Sequence, residues 1–244
     1  MIKNRTGLQS CKHNNLLLEE EIDFCIRKGF KVFEILFDGF WPWDIKSPLR
    51  QRIKEISQQK DLTLQVHGPI ERREPWEEVL KETLEFTSEI GSKLITLHPQ
   101  MKDIDIYGNI FSLAEEEGIF IGLENYKEGQ IIHSPSDMEK ICHFFSDYSN
   151  MGITFDPGHA NLLTHPVTYL KSLAGNVKIL NVHLHDNSGE VDNHLPLGQG
   201  NINFSELISF LKSINYEGNF IIEHWHDNLV SADYFSSLWR KVII

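Results

Sequence analysis

Residues 179–203 read Ile-Leu-Asn-Val-His-Leu-His-Asp-Asn-Ser-Gly-Glu-Val-Asp-Asn-His-Leu-Pro-Leu-Gly-Gln-Gly-Asn-Ile-Asn. An apolar run over 179–182 ends at His183, and two more histidines, two aspartates and a Gly-Gln-Gly turn follow before Phe204. A short apolar run bounded by turn signals is the pattern of a buried strand. Here its tip opens into a dense set of metal-ligand side chains.

The same pattern recurs in both directions along the chain. Strands are expected at 6–10, 31–36, 62–66, 94–97, 119–123, 152–155, 179–182 and 219–222, the first being the weakest. Between and after them, apolar residues return at helical spacing over 16–28, 48–58, 74–90, 104–117, 136–145, 165–174, 204–214 and 229–242. Gly91 and Gly118 stand as helix stops, and Ser134-Pro135 as a helix start. Eight strand–helix pairs in 244 residues match the roughly 250 typical of a (β/α)8 TIM barrel, an α/β fold, here as one domain over 1–244. An open doubly wound sheet is the competing architecture, but no Gly-rich turn follows the first strand to hold a dinucleotide or phosphate.

Composition narrows the function. With 41% hydrophobic and 24% charged residues the chain reads as globular, and no apolar run approaches a membrane span or a signal h-region, which points to the cytoplasm. Cys11, Cys25 and Cys142 have no C-x-x-C spacing, so neither a disulfide framework nor a thiolate metal site is expected. A net charge of −12 argues against a nucleic-acid partner, which is usually gripped by clustered Lys and Arg.

Six expected strands end in His67, His98, Glu124, Asp156, His183 and Glu223. In a parallel barrel those ends share the C-terminal face, where barrel active sites are built. Singly, each could be a core histidine or a turn residue; together they mark a site. Imidazoles with carboxylates and no thiolate suit Zn, Mn, Fe or Mg, and the histidine count leans to a transition metal. His159 is expected to fold back over the mouth across a Pro-Gly turn. Asp192 and His194 share a side if the backbone is extended. His185 falls on the side of His183, as an extra ligand or, the preferred reading, behind the ligands near substrate, whereas Asp186 faces away and orients a neighbour or caps a turn. The turn at Gly198 and Gly200 either shapes the route into the next helix or offers backbone N–H groups to a ligand. Phe37, Phe40, Trp41 and Trp43 pack on the rim or wall the pocket, with Trp41 a candidate substrate contact. Glu34 and Gln9 are expected one layer behind the ligands. The remaining histidines, 13, 133, 143, 165, 224 and 226, are assigned to solvent or core.

These residues resemble the xylose-isomerase-like metal barrels, which include sugar and sugar-phosphate isomerases and epimerases and the endonuclease IV type of apurinic/apyrimidinic endonuclease (AP endonuclease family 2). The most specific part is His183-Leu-His-Asp-Asn with Asp192-Asn-His194-Leu-Pro-Leu-Gly-Gln-Gly-Asn-Ile. The epimerase branch implies one divalent cation, often Mn, on Glu124, Asp156, His183 and Glu223, with Glu124 and Glu223 as the acid–base pair. The endonuclease branch implies three zinc ions on His67, His98, Glu124, Asp156, His159, His183, Asp192, His194 and Glu223. Two departures bear on the choice. The loop after His67 reads Gly-Pro-Ile, without the Tyr and Asn of the endonuclease, and Gly189-Glu190 stand where the epimerases carry an Arg.

The expectation is therefore a divalent-metal-dependent isomerase or epimerase of a sugar or sugar phosphate, holding one to three Zn or Mn ions and moving a proton alpha to a carbonyl. The alternative is an endonuclease IV-like multinuclear zinc phosphoester hydrolase. The expected partner is a small carbohydrate, with no membrane and no nucleic acid, and a homodimer through an exposed barrel face is compatible with the sequence.

Overall fold

The computed structural model describes residues 2–11, 17–128, 131–173, 177–224 and 226–243. His13 and the expected helix ends at Leu16 and Ala174 lie outside them. Eight parallel strands close on themselves: β1 (Thr6–Gln9), β2 (Val32–Leu36), β3 (Thr63–His67), β4 (Leu94–Leu97), β5 (Phe120–Glu124), β6 (Met151–Phe155), β7 (Ile179–Leu184) and β8 (Asn219–Ile222). Each strand pairs with its sequence neighbours, and β1 closes the ring by pairing Thr6 with Phe220. The architecture is a (β/α)8 TIM barrel.

Helices α1 (Leu18–Arg27), α2 (Ser47–Lys60), α3 (Trp76–Glu89), α4 (Ile104–Glu116), α5 (Pro135–Phe144), α6 (Pro157–Asn161), α7 (Pro166–Leu173), α8 (Phe204–Ser213) and α9 (Asn228–Lys241) surround the strands. Their inner faces bury Ile53, Phe86, Phe111, Leu207 and Phe235 against the sheet. Gly91 and Gly118 take φ of 77° and 62°, the left-handed conformation that lets a helix stop and a strand begin within a few residues. Ser134 caps α5 by accepting from the Asp137 N–H at 3.2 Å, and Pro135 occupies the first turn, where no N–H is needed.

Differences from expectation are local. A short ribbon, Lys127–Glu128 with Ile131–Ile132, follows β5, and single 3-10 turns occur at Ile2–Arg5, Pro42–Asp44 and Met101–Asp103. The Pro-Gly step after Asp156 is not a turn but the start of α6. Asp156 is its N-cap, accepting from the His159 N–H at 2.8 Å, and Pro157 pre-sets the helical φ.

Buried Arg50 fixes the β2–α2 loop from below: its guanidinium donates to the carbonyls of Ile45 and Pro42 (2.6 and 2.7 Å) and pairs with Glu89 at 2.7 Å. Inside the barrel, Thr96 and Thr154 hydrogen bond at 2.9 Å across Gly122, where a Cβ would come within 2.3 Å of the Thr154 hydroxyl. This packed layer floors the mouth above it.

Candidate metal centre

Parallel strands bring His67, Glu124 and His183 to one end of the barrel, with Glu34 one strand further round. Glu223 and Asp156 follow β8 and β6 directly, and His98 follows β4. His67 Nε2 and His98 Nε2 both meet Glu124 Oε2, at 3.1 and 3.0 Å. His183 Nδ1 lies 2.8 Å from Glu223 Oε2 and 3.4 Å from Glu124 Oε1, while its Nε2 faces Glu34 Oε1 at 3.2 Å. Glu34 in turn accepts from Gln9 at 2.9 Å and Asn181 at 3.3 Å, so Glu34 and Gln9 sit beneath His183.

The helix start at Asp156 turns the His159 ring between two groups. Its Nδ1 lies 3.3 Å from Glu124 Oε1 and its Nε2 3.2 Å from Asp192 Oδ2. Asp192 and His194 do converge, at 3.6 Å, but not through extended backbone: His194 has φ of 44°, and its Nδ1 donates to the Glu223 carbonyl at 2.8 Å. His185 sits among them, fully buried, with Nε2 3.1 Å from Asp156 Oδ2 and its ring stacked 3.8 Å from that of His194. Its ring nitrogen lies both against Asp156, the position expected of a residue behind the ligands, and within reach of His159, Asp192 and His194.

Asp186 faces the other way, as alternation along the strand requires. Its carboxylate accepts from the backbone N–H groups of Asn187, Gly198 and Ile202 at 2.9, 2.9 and 3.2 Å, pinning the long loop at both ends. The Gly198 amide is thus committed to Asp186. Gly200 crosses so close to Asn187 that a Cβ would stand 2.2 Å from its carbonyl oxygen. Trp41 stacks on Trp43 at 5.2 Å with Arg73 over both rings, on the rim beside α2.

Two residues of this neighbourhood escaped the sequence reading. Tyr126 stacks on the His98 ring at 3.6 Å, and Asn125 exchanges two hydrogen bonds with the Asp156 backbone, at 2.7 and 2.8 Å. A Glu-Asn-Tyr run directly after a strand was the available signal, but Asn reads first as a turn residue.

Burial and mutual charge set the protonation. For His183 and His159, burial opposes the charged ring, but the carboxylates around each outweigh it and hold both well above the usual value. His67 is raised in the same way by Glu124, Glu34 and Glu223, whereas burial wins at His98 and pushes it down to about 4. His194 is pushed up to about 9, burial being overcome by Asp192 and Glu223. Burial would raise Glu124 and Glu223; the neighbouring imidazoles hold both below the carboxylate range instead.

The residues fit a divalent cation. Glu124 Oε1, Glu223 Oε2, Asp192 Oδ1 and both ring nitrogens of His183 are buried without a well-directed hydrogen bond, which a buried polar atom normally has. Ligand atoms lie within 4.8 Å of one another in four groups: Glu124, Asp156, His183 and Glu223; His159, His185, Asp192 and His194; His67, His98 and Glu124; and His67, His183 and Glu223.

A closed parallel barrel whose C-terminal mouth gathers such side chains defines the class, a TIM barrel with a candidate metal centre. The chain belongs to the xylose isomerase-like TIM barrel family, whose model matches residues 22–240. It is 30% identical over 226 residues to the uncharacterized protein MJ1311 of Methanocaldococcus jannaschii, covering 80% of this chain and 75% of that one. Its fold is similar to that of a D-tagatose 3-epimerase-like protein (TM-score 0.83, 24% identity, 98% of each chain). It is also similar to an L-ribulose 3-epimerase (TM-score 0.77, 16% identity, 98% of this chain and 95% of that one). Among the described residues, no helix is long and apolar enough to cross a membrane.

Proposed function

We propose that this chain is a divalent-metal-dependent isomerase or epimerase of a sugar or sugar phosphate, acting in the cytoplasm by proton transfer alpha to a carbonyl. The observation that carries the reading is the convergence of Glu124 Oε1 and Glu223 Oε2 on one nitrogen of His183, Nδ1, each a buried carboxylate oxygen without a well-directed hydrogen bond. The epimerase names of two structural neighbours support it.

Glu124, Asp156, His183 and Glu223 would hold the cation, which supplies Lewis acidity worth several kcal/mol at a carbonyl and its neighbouring hydroxyl. The carboxylates do the rest. Imidazole neighbours keep Glu124 and Glu223 ionised, so either can accept the proton alpha to the carbonyl. The carboxyl that has taken the proton returns it to the neighbouring carbon, or the partner carboxylate, protonated by solvent, supplies one in its place, and positioned groups of this kind contribute about 10²- to 10⁴-fold. Glu124→Gln and Glu223→Gln should each abolish net interconversion of substrate and product across a panel of ketoses and their phosphates. Full interconversion in either variant would falsify the pair.

One observation favours a second reading, an endonuclease IV-like phosphoester hydrolase. All nine residues of that ligand pattern converge, more than one cation requires. The net charge of −12 and the Gly-Pro-Ile loop after His67 weigh against a DNA substrate. Incision of an abasic-site duplex, lost in His194→Ala, would put this reading first.

A further inference from the structure

Barrels of this fold are normally filled by branched apolar side chains, but this one is polar along its axis. Alternation along the strands points Gln9, Glu34, Gln65, Thr96, Thr154 and Asn181 inward. Four of them stand two residues before His67, His98, Asp156 and His183, and so form the layer beneath those side chains. Most of their polar atoms are matched to one another. Gln9 donates to Glu34 at 2.9 Å, Asn181 Nδ2 donates to Glu34 Oε2 at 3.3 Å, and Thr96 and Thr154 share a hydrogen bond at 2.9 Å.

Two atoms of this layer are left over. Gln65 Oε1 and Asn181 Oδ1 have no hydrogen-bond partner, in residues that are 2% and 0% exposed. Leaving a buried acceptor without a donor is costly, and nearly all such atoms are satisfied by protein or by ordered water. Gln65 is the register partner of Glu34, and Glu34 holds Asn181, so one carboxylate links the two. Both leftover atoms accept. What they lack is a donor, and a water molecule has two protons to give.

Gln65 also lines a cavity of about 220 Å³ at the end of the barrel opposite the mouth. Thr63, Leu94, Phe120, Leu180 and Asn219 line it too, each at or next to the start of its strand. Strand starts lie on the N-terminal face, and Thr63 is exposed there. The cavity has room for several water molecules at roughly 30 Å³ each, and the amides of Gln65 and Asn219 give it polar walls.

We propose that water enters the barrel from this N-terminal cavity and binds Gln65 Oε1 and Asn181 Oδ1, hydrating the polar layer directly beneath His183. Water fits this place better than a cation does. Glu34 Oε1 already meets Gln9 and His183, and its Oε2 meets Asn181, so both carboxylate oxygens are engaged and the leftover acceptors are neutral amides. A substrate seated in the mouth leaves the route open, so solvent reaches the layer that supports His183 from behind. The route is independent of the reaction performed at the mouth.

The test uses the full-length protein. In a crystal structure, ordered water should stand at the roughly 2.8 Å of a hydrogen bond from Gln65 Oε1 and from Asn181 Oδ1. Water missing from either atom, or a monovalent cation refined there at shorter distances, overturns the proposal. In solution, oxygen-17 relaxation dispersion counts long-lived internal waters and gives their residence times. Gln65→Met fills similar space without an acceptor and should lose at least one such water, with the circular dichroism spectrum unchanged. Thr63→Trp, at an exposed position on the edge of the cavity, should keep the count and lengthen the residence time several-fold. An unchanged count in Gln65→Met, or an unchanged residence time in Thr63→Trp, sinks the N-terminal route.

Discussion

The imidazole of His185 occupies the space a side chain at position 158 would need: a Cβ on Gly158 would meet the His185 Cε1 at 2.0 Å. Gly158 lies in α6, so the glycine is explained by this close approach rather than by helix geometry. Gly158→Ala should push the ring out of the ligand group. Overpacking of this kind costs about 1–3 kcal/mol, and each kcal/mol lowers Tm by about 2–4 °C in a domain this size. A melting curve and a zinc titration check it; an unchanged Tm with unchanged zinc affinity would show that the ring is free to give way.

Glu34 holds the far nitrogen of His183 from a fully buried position. A carboxylate behind a ligating histidine fixes the tautomer and strengthens the donor, and its loss typically lowers metal affinity about 10- to 100-fold. Glu34→Gln keeps the shape and removes the charge. Its Mn²⁺ affinity, measured by competition with a chelating dye, should fall in that range while circular dichroism stays the same. Wild-type affinity would rule the support out.

Stability of the metal-free protein should peak near pH 6.5. His194, raised to about 9, stabilises the fold fully below its unfolded pKa of roughly 6.5 and stops doing so as pH climbs through 9. His67, His159 and His183 are raised as well and act in the same direction. On the acid side His98 and His224, both pushed down to about 4 by burial, stay neutral while the unfolded chain takes up protons, so stability falls from pH 6.5 towards 4. Bound cations replace the protons on the ligand histidines, so the alkaline limb should flatten in the loaded protein. Tm measured across pH with and without metal distinguishes the two curves; a metal-free protein most stable at pH 9 would contradict the assignment.

Asp186→Ala removes one acceptor from three backbone N–H groups. A buried donor left unsatisfied loses about 1–3 kcal/mol. Amide exchange at Asn187, Gly198 and Ile202 should accelerate, and proteases should gain a cut within 187–203, while the amides of Val66 and Ile121 stay protected. Exchange read by mass spectrometry settles whether the loop depends on that carboxylate.

Much of this architecture is legible in the chain because strand ends carry it. Leu94–Leu97 and Asn219–Ile222 stand where their apolar runs and following ligand residues put them, since a fully buried parallel strand leaves little choice of register. What escaped are features set by distance in space. Nothing near His185 in sequence announces that Gly158 makes room for it, and the left-handed backbone at His194 replaces the extended segment that D-x-H spacing implies. Likewise Tyr126 acquires its role from the His98 ring that a neighbouring strand carries to it. Trp41 and Gly198 were conspicuous in sequence because aromatics and glycines are, yet their contacts here are with Trp43, Arg73 and Asp186.

The loop tethered by Asp186 holds Asp192 and His194 in the mouth, while Ser188, Glu190, Val191 and Asn193 point to solvent between the anchored ends. Anchoring through backbone amides asks nothing of those four side chains. They are accordingly where natural drift or a directed-evolution library can reshape what enters the barrel while leaving the placement of Asp192 and His194 intact.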